Sequence, residues 1–218
     1  MRLHLNTVSD LLWDSLKKIM SINEFNCFRL VGGTSLSLQL GHRESVDIDL
    51  FTDAEYGSLD FAILENRLKS IFPHIESMET DIIGMGKSFY VGNDKDNLIK
   101  LDVFYTDAFV FPMLEVESIR LASIEEIVAM KLEVIGQGGR KKDFWDLHEL
   151  LEYFSIDEMI EFYAKRYPFN FTRDKIIQQL TDFNTAEDDF LPICYKNKVW
   201  EIIKLDIEEE VKKIKPNA

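Results

Sequence analysis

Across residues 8–20 apolar side chains return every three or four positions, with Ser9 or Asp10 placed as an N-cap, so the chain opens on an amphipathic helix. Residues 28–31 form a short strand pattern that runs into Gly32-Gly33, and residues 35–40 read as a short helix ended by Gly41. Apolar and acidic residues alternate over 46–51, which predicts a half-buried strand with Val46, Ile48 and Leu50 turned to the core. Helical spacing returns over 58–71, with Ser58 as N-cap, Phe61, Leu64, Leu68 and Ile71 on one face and Pro73 as the stop. A β-meander follows: strands at 81–83, 88–91 and 98–105, a turn over 92–97, and a short edge strand at 117–121.

From residue 123 the pattern is helical throughout. Ser123 and Glu126 form a capping-box pair, opening a helix that runs to the glycines at 136–139. Further helices are predicted over 142–154, 156–166, 173–183 and 196–213, and the lysines and proline that close the chain read as a fraying end. The chain therefore reads as α+β, with a mixed α/β domain over 1–122 and a helical part over 123–218.

Composition narrows the classes. A net charge of -14 argues against broad non-specific nucleic-acid binding, which relies on neutralising phosphates with basic side chains. Arg140-Lys141-Lys142 is the one cationic cluster, either a solvated loop or a contact for nucleotide or nucleic acid. No apolar run reaches the roughly 18–20 residues of a membrane span, and the N-terminus lacks a secretory layout, so a cytoplasmic protein without membrane contact is expected. The two cysteines, Cys27 and Cys194, are expected to be buried thiols. His4, His42, His74 and His148 show no metal-ligand spacing and suit polar or core roles; Trp13, Trp145 and Trp200 suit core anchors.

Candidate chemistry centres on Asp47-Ile48-Asp49. Residues two apart on a strand share a face, so both carboxylates project together, and two such groups on a half-buried strand call for a compensating cation. Oxygen ligands of this kind suit Mg²⁺ bridging substrate phosphates. Taken alone, the pair is a weak signal that reads first as a solvated turn or strand edge. About fourteen residues upstream, Gly32-Gly33-Thr34-Ser35 lies between a strand and a helix. Glycines there admit a close ligand, helix amides attract phosphate oxygens, and the Thr34 or Ser35 hydroxyl can donate to phosphate; a plain strand-to-helix turn is the alternative. Asp102, alternating with Leu101 and Val103, either completes a three-carboxylate metal cluster and serves as base or is an exposed strand residue.

Taken in order, Gly32-Gly33-Thr34-Ser35-Leu36, Arg43-Glu44-Ser45-Val46-Asp47-Ile48-Asp49, Ala129-Met130-Lys131 and Lys142-Asp143-Phe144-Trp145-Asp146-Leu147 resemble the motif series of the AbiEii toxin family. That family belongs to the minimal nucleotidyltransferases of the DNA polymerase beta superfamily, and the resemblance covers roughly residues 27–152. It implies a nucleotidyltransferase fold, a mixed β-sheet flanked by helices, with the helical C-terminal part completing the active site. It further implies that Gly32, Gly33, Thr34 and Ser35 hold the nucleotide's phosphates, that Asp47 and Asp49 carry the catalytic metal, and that Lys131 stabilises charge during transfer. Asp143 would orient Lys131 or the attacking group, with Asp146 second in line; Arg43 would contact phosphate or tie down a carboxylate. The implied activity is Mg²⁺-dependent transfer of an NMP from an NTP to an acceptor hydroxyl, with tRNA as acceptor, by the toxin of an AbiE-like toxin–antitoxin system with a cognate antitoxin. The acidic composition leaves open a protein or small-molecule acceptor, and the short C-terminal part leaves open a non-catalytic nucleotide-binding module.

Overall fold

The computed structural model describes residues 2–77 and 84–214 and divides into two compact units. The first comprises Met1–Gly41 and Ser45–Ser123; the second comprises Ile124–Ala218 together with His42–Glu44, a short piece that groups with helices far along the chain.

In the first unit the elements are α1 (Asp10–Met20), β1 (Arg29–Leu30), α2 (Gly32–Leu40), β2 (Asp47–Thr52), α3 (Phe61–Ile71), β3 (His74–Ser77), β4 (Gly86–Asp94), β5 (Asn97–Tyr105), β6 (Met113–Val116) and β7 (Ile119–Ala122). Among the described residues the sheet runs β3-β4-β5-β2-β1-β7-β6. It is mixed: β2 is parallel to β5 and antiparallel to β1, while β1 is parallel to β7. Alternation in β2 and β5 buries Ile48, Leu50, Leu101 and Val103 completely, and they join Leu12, Leu16 and Ile19 of α1 and Leu64 and Leu68 of α3 in one core. Each such side chain contributes about 1.5–3 kcal/mol by leaving water, so the register of β2 is strongly specified.

Several boundaries differ from the sequence expectation, each for a local reason. The helix expected from Ser58 begins at Phe61, because Gly57 has φ 82° and the carboxylate of Asp60 accepts the Ala62 and Ile63 amides at 2.9 and 3.2 Å. Asp60→Ala should therefore cost about 1 kcal/mol, read as a lowered urea midpoint. The expected loop over 92–97 shrinks to the two residues Lys95-Asp96, since Asp94 takes the Asp96 amide and the Asn97 side chain. Strand β7 is interior rather than an edge; the edge is β6, which lacks a distinctive pattern and joins β7 through Glu117 and Ser118, both left-handed at φ 53° and 65°. Val46 precedes β2 and is exposed instead of facing the core. The strand expected at 81–83 and the closing Lys215-Pro216 lie outside the described residues, whereas β3 was not foreseen.

The second unit is built of α4 (Ile124–Gly136), α5 (Lys141–Leu150), α6 (Ile156–Arg166), α7 (Arg173–Leu180), α8 (Asn184–Glu187) and α9 (Trp200–Lys212). Helix α4 packs on α5, α6 and α7, and α9 on α5 and α7. Trp145 and Trp200 are buried with stacked rings 6.4 Å apart, while Trp13 is only half-buried. Glu126 is buried in α4 and ion-paired with Arg166 of α6. Cys27 is exposed and Cys194 half-exposed, both as free thiols, contrary to the expected burial. Among the described residues no helix is long and apolar enough to cross a membrane.

Candidate active site

The alternation that buries Ile48 and Leu50 leaves Asp47 and Asp49 half-exposed on the opposite face of β2. The parallel register sets Asp47 beside Lys100 and Asp49 beside Asp102, so β2 and β5 put four charged residues on one face. Asp102 is engaged there: its Oδ1 accepts from the Ser88 hydroxyl at 2.6 Å, and its Oδ2 lies 2.5 Å from the Lys100 ammonium. Burial disfavours the charged form of Lys100, yet Asp102 and then Asp47 and Asp49 outweigh it, and the lysine pKa is raised.

Of the expected metal set of Asp47, Asp49 and Asp102, the third member is ion-paired with Lys100 in this structure. Among the described residues no three His, Cys, Asp or Glu side chains gather as a metal cage. The pairing that brings Asp102 beside Asp49 also delivers Lys100 to the same face, and the lysine stem reaches the carboxylate first. Asp47 and Asp49 by themselves still fit Mg²⁺, which is commonly bound through one or two carboxylates together with substrate phosphates.

Helix α2 starts at Gly32, three residues before the expected start, with Val31 at its N-cap offering no side-chain hydrogen bond. Its first-turn amides are thus not claimed by a cap and point out of the helix end, the geometry that suits an anion. Gly32 has φ 67°, and a β-carbon there would come within 2.6 Å of Asp49 Oδ2. The glycine is required twice, by its left-handed backbone and by the carboxylate against it. Gly32→Ala should cost about 1–3 kcal/mol of stability and displace Asp49, visible as a lower denaturation midpoint together with reduced activity.

Thr34 and Ser35 are buried, so their hydroxyls serve the fold instead of reaching outward as expected. Thr34 donates to the Asp47 carbonyl and, having one proton, accepts from the Ser45 hydroxyl 2.8 Å away. That link ties the start of α2 to the start of β2. Ser35 Oγ accepts from Gln39 Nε2 at 3.2 Å, whose amide also reaches the Ala122 carbonyl. In this unit the phosphate-facing capacity rests on the backbone at Gly32 and Gly33.

In the second unit, Asp146 is fully buried and surrounded by donors. Arg43 Nε and Nη2 reach its two oxygens at 2.6 and 2.8 Å, Lys131 Nζ lies 2.6 Å from Oδ2, and His42 Nε2 lies 2.7 Å from Oδ1. A carboxylate only accepts, so His42 carries its proton on Nε2. Lys131 also donates to Asp143 Oδ1 at 2.7 Å, and Asp143 Oδ2 accepts the Arg140 amide at 2.9 Å, capping α5. Burial would raise the pKa of Asp146, but Arg43 and Lys131, helped by His42, hold it well below the usual carboxylate range. Asp143 is lowered against burial, chiefly by Lys131. Burial depresses Lys131, and the two aspartates more than reverse this, so its pKa is raised.

Lys131 is therefore a buried, doubly paired cation rather than a solvated lysine, and of the two roles considered for Arg43 the structure displays the tie to a carboxylate. The expected cationic cluster is split: the Arg140 side chain is largely exposed, but Lys141 turns inward to the Glu187 and Asp189 carbonyls at 2.9 and 2.7 Å. Lys100 and Ser88 had no assigned role from sequence. Their one available signal was parity: Lys100 lies two residues before Asp102, hence on its face.

A mixed sheet with an Asp-x-Asp on its central strand, set against a glycine-opened helix, is the nucleotidyltransferase arrangement, and the molecule is an α+β protein of that class. Its family follows from its sequence: the chain belongs to the nucleotidyl transferase AbiEii toxin family of type IV toxin–antitoxin systems, whose model matches residues 15–213. It is 30% identical over 209 residues to an uncharacterized protein of Aquifex aeolicus (strain VF5), covering 90% of this chain and 94% of that one. Its fold is similar to that of MenT4, a nucleotidyltransferase toxin from Mycobacterium tuberculosis, with TM-score 0.60, 15% identity and coverage of 94% and 84% of the two chains. It is also similar to JHP933 from Helicobacter pylori, with TM-score 0.55, 24% identity and coverage of 91% and 88%.

Proposed function

We propose that this nucleotidyltransferase moves an NMP from an NTP to an acceptor hydroxyl, with Asp47 and Asp49 as the metal-holding pair and tRNA as acceptor, and that it acts in the cytoplasm as the toxin of a pair with a cognate antitoxin. The observation that carries this reading is the pair of same-face carboxylates on β2 with Gly32 packed against Asp49. A divalent cation such as Mg²⁺, when held there, would neutralise charge on the transferred phosphoryl group. The chain's own part is positioning. The first-turn amides at Gly32 and Gly33 bind phosphate oxygens, with Thr34 holding that turn to the Asp47 backbone. Within the second unit, Asp143 and Asp146 orient Lys131, the positive charge assigned to the transfer. Arg43 acts as a positioning residue through Asp146.

A second acceptor class, a protein or small molecule, is favoured by the inward turn of Lys141, which removes one cation from the only run of three consecutive basic residues in a chain of net charge -14. Incubation with each α-labelled NTP and Mg²⁺, offering tRNA, total protein and small hydroxyl compounds separately, decides between them. Label on tRNA alone supports the first reading and label on protein or a small molecule the second. Absence of label on every acceptor, with the purified chain also failing to turn over NTP, would sink both and leave a nucleotide-binding module.

A further inference from the structure

We propose that Lys100 is a tethered competitor of the divalent cation: held by Asp102, its ammonium neutralises the acidic face of β2 and β5, keeps Asp102 out of the coordination set and leaves Asp47 and Asp49 as the binding pair. The inference rests on the metal-dependent reading given above and adds a residue to it.

The register places Lys100 directly across from Asp47 and Asp102 directly across from Asp49. Neighbouring strands are about 4.8 Å apart, so a charge at position 100 acts on both carboxylates of β2 at short range. Both oxygens of Asp102 are engaged, Oδ1 by Ser88 and Oδ2 by Lys100, leaving a binding ion to displace a charge-assisted hydrogen bond before it can use that carboxylate. Lys100 is only half-buried, whereas its neighbours Ile99 and Leu101 supply the core contacts of β5, so its position answers to the acidic face and not to packing. In its absence three carboxylates would share one face with mutual repulsion, the condition under which a cation binds most strongly. Lys100 thus lowers affinity for the free ion and favours filling of the site by an ion that arrives with the triphosphate, whose oxygens add the negative charge that tips the balance.

Mn²⁺ binding to the full chain, followed by calorimetry and by the rise in thermal midpoint with added MnCl₂, tests this without reference to activity. Lys100→Met should bind Mn²⁺ about tenfold more tightly than the unmodified chain, because a unit charge is removed from near the ion. Lys100→Arg, which keeps the charge, should bind as the unmodified chain does. Lys100→Met combined with Asp102→Asn should lose most of the gain, showing that it comes from the freed carboxylate. Asp102→Asn alone should weaken binding far less than Asp49→Asn. Circular dichroism checks each fold, and Lys100→Gln replaces Lys100→Met if the latter misfolds. Equal or weaker binding by Lys100→Met or Lys100→Gln, or an Asp102→Asn loss as large as that of Asp49→Asn, overturns the proposal while leaving the metal reading intact. If no variant and not the unmodified chain binds Mn²⁺ even with a non-hydrolysable NTP present, both fall.

Discussion

Asparagine at Asp47 or Asp49 is expected to lower nucleotidyl transfer by roughly a thousandfold or more while leaving the fold intact. The two effects separate because the residues lie on the face of β2 that does not build the core. Ile48 and Leu50, fully buried on the other side, hold the strand in register whichever side chains stand at 47 and 49. Removing one charge relieves repulsion within the pair but also weakens the attraction to Lys100, so stability should change little. The measurement is single-turnover transfer from labelled NTP beside a circular-dichroism melt. Activity retained within tenfold in both variants would remove these residues from the proposed site. Loss of activity with collapse of the melt would assign them a structural role instead.

Asp146→Asn is expected to have the largest effect on stability, about 3–5 kcal/mol, because it removes the buried charge that pairs with Arg43 and one of the two that pair with Lys131, leaving Lys131 to Asp143 alone. Asparagine keeps the shape, so the cost reports charge and not a cavity. The pH dependence has a defined sign. Folding lowers the pKa of Asp146 well below its ordinary value, so its contribution is fully present above the unfolded aspartate range, near pH 4, and is lost as pH falls through the depressed folded value. Asp143 adds to the same acid-side loss. Lys131, raised on folding, contributes below the ordinary lysine range and loses that contribution as pH rises through its folded value, at strongly alkaline pH. Urea midpoints of the unmodified chain and Asp146→Asn should therefore lie far apart at pH 7 and converge below about pH 4. A constant gap across that range would show that the charge of Asp146 is not what stabilises the second unit.

Much of the candidate site was legible because it depends on short-range rules. Parity along β2 put Asp47 and Asp49 on one face, and the observed burial alternates as that rule requires. Gly32-Gly33 marked a point of close approach, and the contact proves to be with Asp49. Where reading failed, it failed on partners. Thr34 and Ser35 carry hydroxyls suited to phosphate, but helix α2 begins at Gly32, and this phase turns both side chains inward. Lys141 belongs to a basic run in sequence and to a pair of part-buried carbonyl contacts in space. Asp102 shares its parity with Lys100, and only the fold showed that the two are ion-paired.

The amino-acid order by itself determined the α+β class, the helices of the second half except the short α8, and the acidic face of β2, because periodicity and capping act over a few residues and need no knowledge of the rest of the chain. It also carried the family resemblance, since ordered motifs survive in sequence. Tertiary structure alone decided that β2 pairs with β5 in the register Asp49 to Asp102, and that His42 and Arg43 meet Asp146 more than a hundred residues away. The physical reason is that a charged side chain's state is set by whichever charges lie within a few ångströms after folding, and strand order and helix packing choose those neighbours. For Asp47 and Asp49 the sequence located the carboxylates; the fold added the lysine that stands beside them.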